Sequence, residues 1–148
     1  MSRAGSAAGA LMSEPVRELA RLLREMHPRL HEQRTVFCAL PAGASAPDEA
    51  IAWFREAEGV SVVLPADVAR TLGHRDEDAM AWITLEVHSA LDAVGLTAAV
   101  SAALAAEGIP CNIIAALRHD HLFVPVARAA DALAALERLS ADASPTRS

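Results

Sequence analysis

Three histidines, two aspartates and one glycine carry most of the chemistry this chain could perform. His119-Asp120-His121 places two imidazoles on one face of an extended segment and a carboxylate on the other. His88 ends a separate apolar run, beside Ser89. Three imidazoles can ligate a divalent metal, although no paired cysteine or glutamate cluster reinforces such a set. Asp92-Ala93-Val94-Gly95-Leu96-Thr97 leads from a strand-like run into an alanine-rich one. Asp92 is suited to cap the following helix or to meet a ligand there. Gly95 is suited to a turn, or to letting backbone approach a bound molecule closely. The amides at such a helix start bind anions. Asn112 offers a donor and an acceptor. Glu56 and Glu58 flank Gly59 in a tight turn and read either as solvated charge or as ligand contacts. Ser89 and His88 are neighbours in sequence, which is not how a nucleophile meets its base. The chain has no nucleophile elbow, phosphate-cradling loop or HExxH pattern, so the expectation is a protein that is not an enzyme and carries no cofactor.

These residues need elements to hold them. Ser13 and Pro15 mark the start of a helix over Glu14 to Met26, with Val16, Leu19, Leu22 and Leu23 at helical spacing. His27-Pro28 closes it. Arg34 to Leu40 reads as a strand and Pro41 to Asp48 as a loop. Ala50 to Glu58 and Val60 to Leu64 form a hairpin about Glu58-Gly59. Pro65 opens a short helix ending at Gly73, and the charged His74 to Asp78 links two halves. In the second half, Ala81 to His88 alternates as a strand and Gly95 to Glu107 is a helix. Pro110 to Leu117 and Leu122 to Val124 are strands, Ala127 to Leu139 is a helix, and Ser140 to Ser148 is polar. Val62-Val63-Leu64-Pro65-Ala66 and Leu122-Phe123-Val124-Pro125-Val126 form a weak repeat with an offset of 60 residues. Trp53 and Trp82 are expected in the core.

Composition bounds the class. At 148 residues and 53% apolar, the chain can bury a sizeable core. Net charge is −6, all thirteen basic residues are arginines, and no basic surplus exists to neutralise a phosphate backbone, so nucleic-acid binding is disfavoured. The longest uncharged run, Ala93 to Ala106, falls short of the roughly 20 residues of a membrane span. Cys38 and Cys111 lie in apolar surroundings and read as buried free thiols of a cytoplasmic protein. Residues 1–13 read as a disordered extension, with Met12 an alternative start.

Leu91-Asp92-Ala93-Val94-Gly95-Leu96-Thr97, with Glu107-Gly108-Ile109-Pro110-Cys111-Asn112-Ile113, resembles the ACT domain. That ligand-sensing module usually shows D-x-P-G-L before its first helix and G-I-N-I entering its second strand. Here Val94 stands at the proline position, and Pro110-Cys111 interrupts the second motif. The wider pattern adds Glu56 to Ser61, Val87 to Leu96 and His119 to Pro125. It is similar to small stand-alone tandem ACT proteins of bacteria, relatives of aspartate kinase regulatory halves and of CASTOR-type arginine sensors. The resemblance implies an α+β fold of two tandem ferredoxin-like (βαββαβ) units, residues 14–78 and 79–141, with antiparallel sheets, helices on one face and a polar tail at 142–148. It implies a sensor that binds an amino acid between units, near the 88–97 loop and the 119–121 turn, and that forms a dimer. The implied contacts are His88, Ser89, Leu91, Asp92, Val94, Gly95, Leu96, Thr97, Asn112, His119, Asp120, His121, Glu56, Glu58 and Gly59. The alternatives are a metal-binding protein or metal-dependent enzyme using His88, His119 and His121, and an interaction module without a ligand.

Overall fold

A computed structural model describes residues 14–144; the extension proposed for residues 1–13 lies outside the described residues. The element order is α1 (Leu19–Arg24), β1 (Pro28–Pro41), β2 (Ala52–Glu56), β3 (Gly59–Pro65), α2 (Ala66–Thr71), β4 (Met80–Leu85), α3 (Leu96–Ala106), β5 (Asn112–Ala115), β6 (Asp120–Pro125) and α4 (Ala129–Asp142). The six strands form one sheet, β2-β3-β1-β4-β6-β5, and every pair is antiparallel.

This order explains how two small halves stabilise each other. Each half contributes three strands, its first lying beside its third and its third beside its second. The fourth strand is borrowed: β4 flanks β1 for the first half, and β1 flanks β4 for the second. Neither half therefore has a complete sheet alone, as expected where each is too small for its own core.

Strand alternation sorts the sheet into a helix-covered face and an open face. Ile83, Leu85, Leu122 and Val124 enter one apolar cluster with Leu22 of α1, Val100 and Leu104 of α3, and Ala132 and Leu136 of α4. Val36, Val62 and Leu64 meet Ala66 and Ala69 of α2 in a second cluster. The opposite face carries Phe37, Trp82 and Phe123, the two phenylalanines edge to face with centroids 5.2 Å apart.

Several expectations shift. The first helix begins at Leu19 rather than Glu14, because Val16 is drawn into a parallel bridge with Ser89: its N–H donates to the His88 carbonyl at 2.8 Å, and its own carbonyl accepts from the Ala90 N–H at 3.0 Å. β1 extends back to Pro28, six residues earlier than the apolar pattern indicates, with its register against β4 shifting between Leu30 and Arg34. β4 stops at Leu85 instead of His88, and β5 is trimmed to Asn112–Ala115. α4 runs to Asp142, beyond the Leu139 expected, and includes Ser140, whose hydroxyl donates to the Arg24 carbonyl; residues 145–148 of the expected polar tail lie outside the described residues. Trp53 is not in the core: it is 55% exposed, because the connection from β1 to β2 contains no helix to cover it. Trp82 lies half-buried on the open face.

Candidate functional site

The loop after β4 delivers Ser89 and Leu91, the start of α3 delivers Gly95, Leu96 and Thr97, and the start of β6 delivers Asp120. Together with Ala90, Ala93, Ala115 and Ala116 they line a pocket of about 140 Å³. Two opposite charges of the fold converge on it. α3 is an 11-residue helix whose N-cap, Gly95, supplies no side-chain hydrogen bond to the first turn. Its leading amides are therefore open to an anion at the positive end of the helix dipole. Asp120 lies buried at the other side and accepts a hydrogen bond from the Ser89 hydroxyl at 3.3 Å. Burial pushes its carboxyl up, partly opposed by Ser89 and by His121 and His119.

Gly95 has φ +106°, a conformation side chains rarely adopt, and a Cβ built on it would sit 2.9 Å from Cδ2 of Leu19. Leu19 thus packs on the turn from α1, while Val16 straps the loop one step earlier. The segment 16–19 is the part of this neighbourhood that sequence reading missed. Its apolar spacing reads only as a core helix. The small residues Ala115 and Ala116, which make room for the pocket, gave no signal either.

Other candidate residues stand elsewhere. Asp92 does not cap α3; its exposed carboxylate pairs with Arg17 at 3.2 Å. Val94 is 83% exposed and lies off the pocket. His119 Nδ1 lies 3.4 Å from the Val87 carbonyl beside the loop. His121 points to the open face, away from Asp120, so the three histidines do not converge. Among the described residues no group of three or more His, Cys, Asp or Glu is placed to hold a metal. Asn112 is at the far end of β5, opposite Phe123, with its amide 3.9 Å from the Met80 sulfur. Glu56, Glu58 and Gly59 lie at the β2–β3 turn in the other half. Gly59 there is required by packing, since a Cβ would come within 2.3 Å of the Leu40 carbonyl oxygen.

On the open face His121 joins a different network. His31 stacks on Trp82 with centroids 3.6 Å apart. Arg29 donates to His31 Nδ1 at 3.3 Å, which leaves the His31 proton on Nε2, facing Thr84 Oγ1 at 2.7 Å. The Thr84 hydroxyl lies 3.0 Å from His121 Nδ1, and the Trp82 indole N–H donates to that same nitrogen at 3.1 Å. His121 Nδ1 has one lone pair for these two donors and can accept from them only while that nitrogen is unprotonated. Burial lowers both histidine pKa values, helped by Arg29 at His31 and by His119 at His121. The cysteines Cys38 and Cys111 are unbridged, and burial pushes the Cys111 thiol up to about 11.

The fold is thus a two-unit α+β module whose halves share one antiparallel sheet. Residues 14–81 and 80–138 each match an ACT domain model. The chain belongs to the ACT-domain proteins and carries two such domains in tandem. It is 44% identical to a Vibrio cholerae protein of unknown function described as a possible transport protein, covering 78% of this chain and 89% of that one with a TM-score of 0.69. A ligand-free aspartate kinase regulatory subunit from Thermus thermophilus shares the fold at 12% identity, covering 76% and 95% of the two chains with a TM-score of 0.55. An Agrobacterium tumefaciens protein does so at 18% identity, 76% and 87% coverage and a TM-score of 0.58. Among curated proteins none matches this sequence. No helix among the described residues is long and apolar enough to cross a membrane.

Proposed function

We propose that this protein is a non-catalytic regulatory sensor that binds a small free amino acid at the start of α3. The observation that carries the reading is the pairing of an uncapped helix N-terminus with a buried carboxylate across one small pocket. A zwitterion has complementary ends: its carboxylate meets the amides of Leu96 and Thr97, and its ammonium meets Asp120, held by Ser89. Leu91 forms an apolar wall, and His88 and His119 flank the mouth. The volume of about 140 Å³ favours a small side chain. Asn112, His121, Glu56, Glu58 and Gly59 reach the ligand only if a second copy presents them, and Asp92 and Val94 stay at the rim.

The protein acts as a homodimer in the cytoplasm on this reading. The exposed Phe54 and Phe37 on the open face and the unpaired edges of β2 and β5 support self-association, and the two unbridged cysteines suit a reducing compartment. Ligand binding shifts the balance between arrangements by its difference in affinity for them.

Thermal unfolding of the full chain against each of the common amino acids tests the proposal. A ligand at a hundred times its Kd should stabilise the chain by about 2.7 kcal/mol, and Asp120→Asn should remove the response. A response unchanged in Asp120→Asn, or none to any amino acid, refutes the site.

A further inference from the structure

In the second half the connection to the edge strand is α3, whose Val100 and Leu104 share an apolar cluster with Ile113 of β5, but the corresponding connection in the first half, residues 42–51, has no helix. The side of β2 that such a helix would hide is bare. Trp53 and Arg55, two residues apart on β2, pair in register with Val62 and Val60, so both stand on the helix side of the sheet. They line a pocket of about 510 Å³ that the 42–46 segment overhangs. Its size is that of a small-molecule site. The wall at Gly59 is backbone packed too tightly for any side chain.

The chemistry of the pocket is one-sided. Seven arginines of this chain pair with carboxylates, yet Arg55 makes no ion pair or hydrogen bond among the described residues. The indole N–H of Trp53 has no acceptor among them either, and the ring is 55% exposed. Glu56 also borders the pocket, but alternation along β2 sends its carboxylate to the opposite side of the strand from Arg55, where it accepts from the Ser61 hydroxyl. An aromatic platform beside an unpaired guanidinium suits a flat apolar group carrying a carboxylate: the ring stacks on the indole and the carboxylate takes the guanidinium fork.

We propose that the pocket over Trp53 and Arg55 is a second ligand site, distinct from that at α3, and that it binds aromatic carboxylates. Trp53 and Trp82 are the two tryptophans of the chain, so Trp82→Phe leaves Trp53 as sole reporter. Phenylacetate is the probe, titrated against Trp53 emission in that variant and by calorimetry against the unmodified full chain. Saturable binding is expected, at least tenfold weaker in Arg55→Gln and absent for 2-phenylethylamine, which lacks the anion. Non-saturable quenching without calorimetric binding overturns the proposal. So does equal affinity in Arg55→Gln or equal binding of the amine. Phenylacetate binding that Asp120→Asn removes and Arg55→Gln does not would place the anion at α3 and equally overturn it, whatever the fate of the amino-acid reading.

Discussion

Replacing Gly95 by alanine probes the turn on which the α3 site rests. Two costs follow from the geometry. The backbone sits at φ +106° and ψ −18°, where holding a residue with a side chain costs about 1–3 kcal/mol. The new methyl would also lie 2.9 Å from Cδ2 and 3.4 Å from Cδ1 of Leu19. Leu19 is 37% exposed and ends in flexible methyls, so it can yield by leaving its rotamer, for about 0.5–1.5 kcal/mol. Against these stands a gain of about 0.4–1 kcal/mol from the stiffer unfolded chain. The net expectation is a loss of about 2 kcal/mol. At this chain length that lowers Tm by roughly 4–8 °C. Urea unfolding followed by circular dichroism measures it, with the midpoint falling at constant slope. Combining the change with Leu19→Ala separates the two costs. The steric part should vanish as a coupling of about 0.5–1.5 kcal/mol, and the backbone part should remain. A Gly95→Ala variant within about 0.5 kcal/mol of the parent would refute the reasoning, since the turn would then have relaxed to a conformation alanine accepts.

Two further predictions concern protonation. Asp120 has a raised pKa, so the folded chain keeps that proton to higher pH than the unfolded chain does. Its contribution to stability is complete below the ordinary carboxylate pKa and is lost as pH rises through the raised folded value. Asp120→Asn escapes that loss, so its Tm relative to the parent should climb between about pH 3 and about pH 7; a difference that stays flat or falls contradicts the burial argument. His31 and His121 have lowered pKa values, so their contribution is complete above the ordinary histidine value of 6.5 and is lost as pH falls through the lowered ones. The double variant His31→Gln/His121→Gln should flatten the fall in stability from about pH 7 to about pH 5, and a slope matching the parent would show that the Thr84 relay does not hold both rings neutral.

The legible parts of the fold were those where local pattern and tertiary demand agree. Glu58-Gly59 between a run carrying Trp53 and Phe54 and a valine-rich run specified a hairpin, and Pro65 and Gly73 bracketed α2 as punctuation predicts. The 14-residue length of β1 was not legible. Its first part, Pro28 to Gln33, has Pro28 and Leu30 as its only apolar residues, too few for a strand pattern, and its strand pairing is with β4. Glu14 to Glu18 shows the same effect in reverse: Val16 has helical spacing, but its backbone partners are the carbonyl of His88 and the N–H of Ala90, 72 and 74 positions away in the chain. Pattern reading assigns a residue by its neighbours in sequence, and such long-range bonds lie outside its reach.

The candidate residues divided for a related reason. Ser89, Gly95, Thr97 and Asp120 converge because α3 folds back over β5 and β6, a local crossover that spacing can anticipate. His119, Asp120 and His121 were grouped by adjacency, but strand alternation sends His121 through the sheet to Trp82 and leaves Asp120 among the pocket residues. Alternation also places Trp53 and Arg55 on one side of β2. What exposes them is the absence of a helix in residues 42–51, a feature of the connection and not of either residue. The two proposed sites therefore differ in origin. The first follows from a helix that begins where its amides face a carboxylate, and the second from a helix that is missing. A sheet built from two interdependent halves gives both sites the same support, because β1 and β4 each complete the other half, and a perturbation that separates these strands should disable binding at both together.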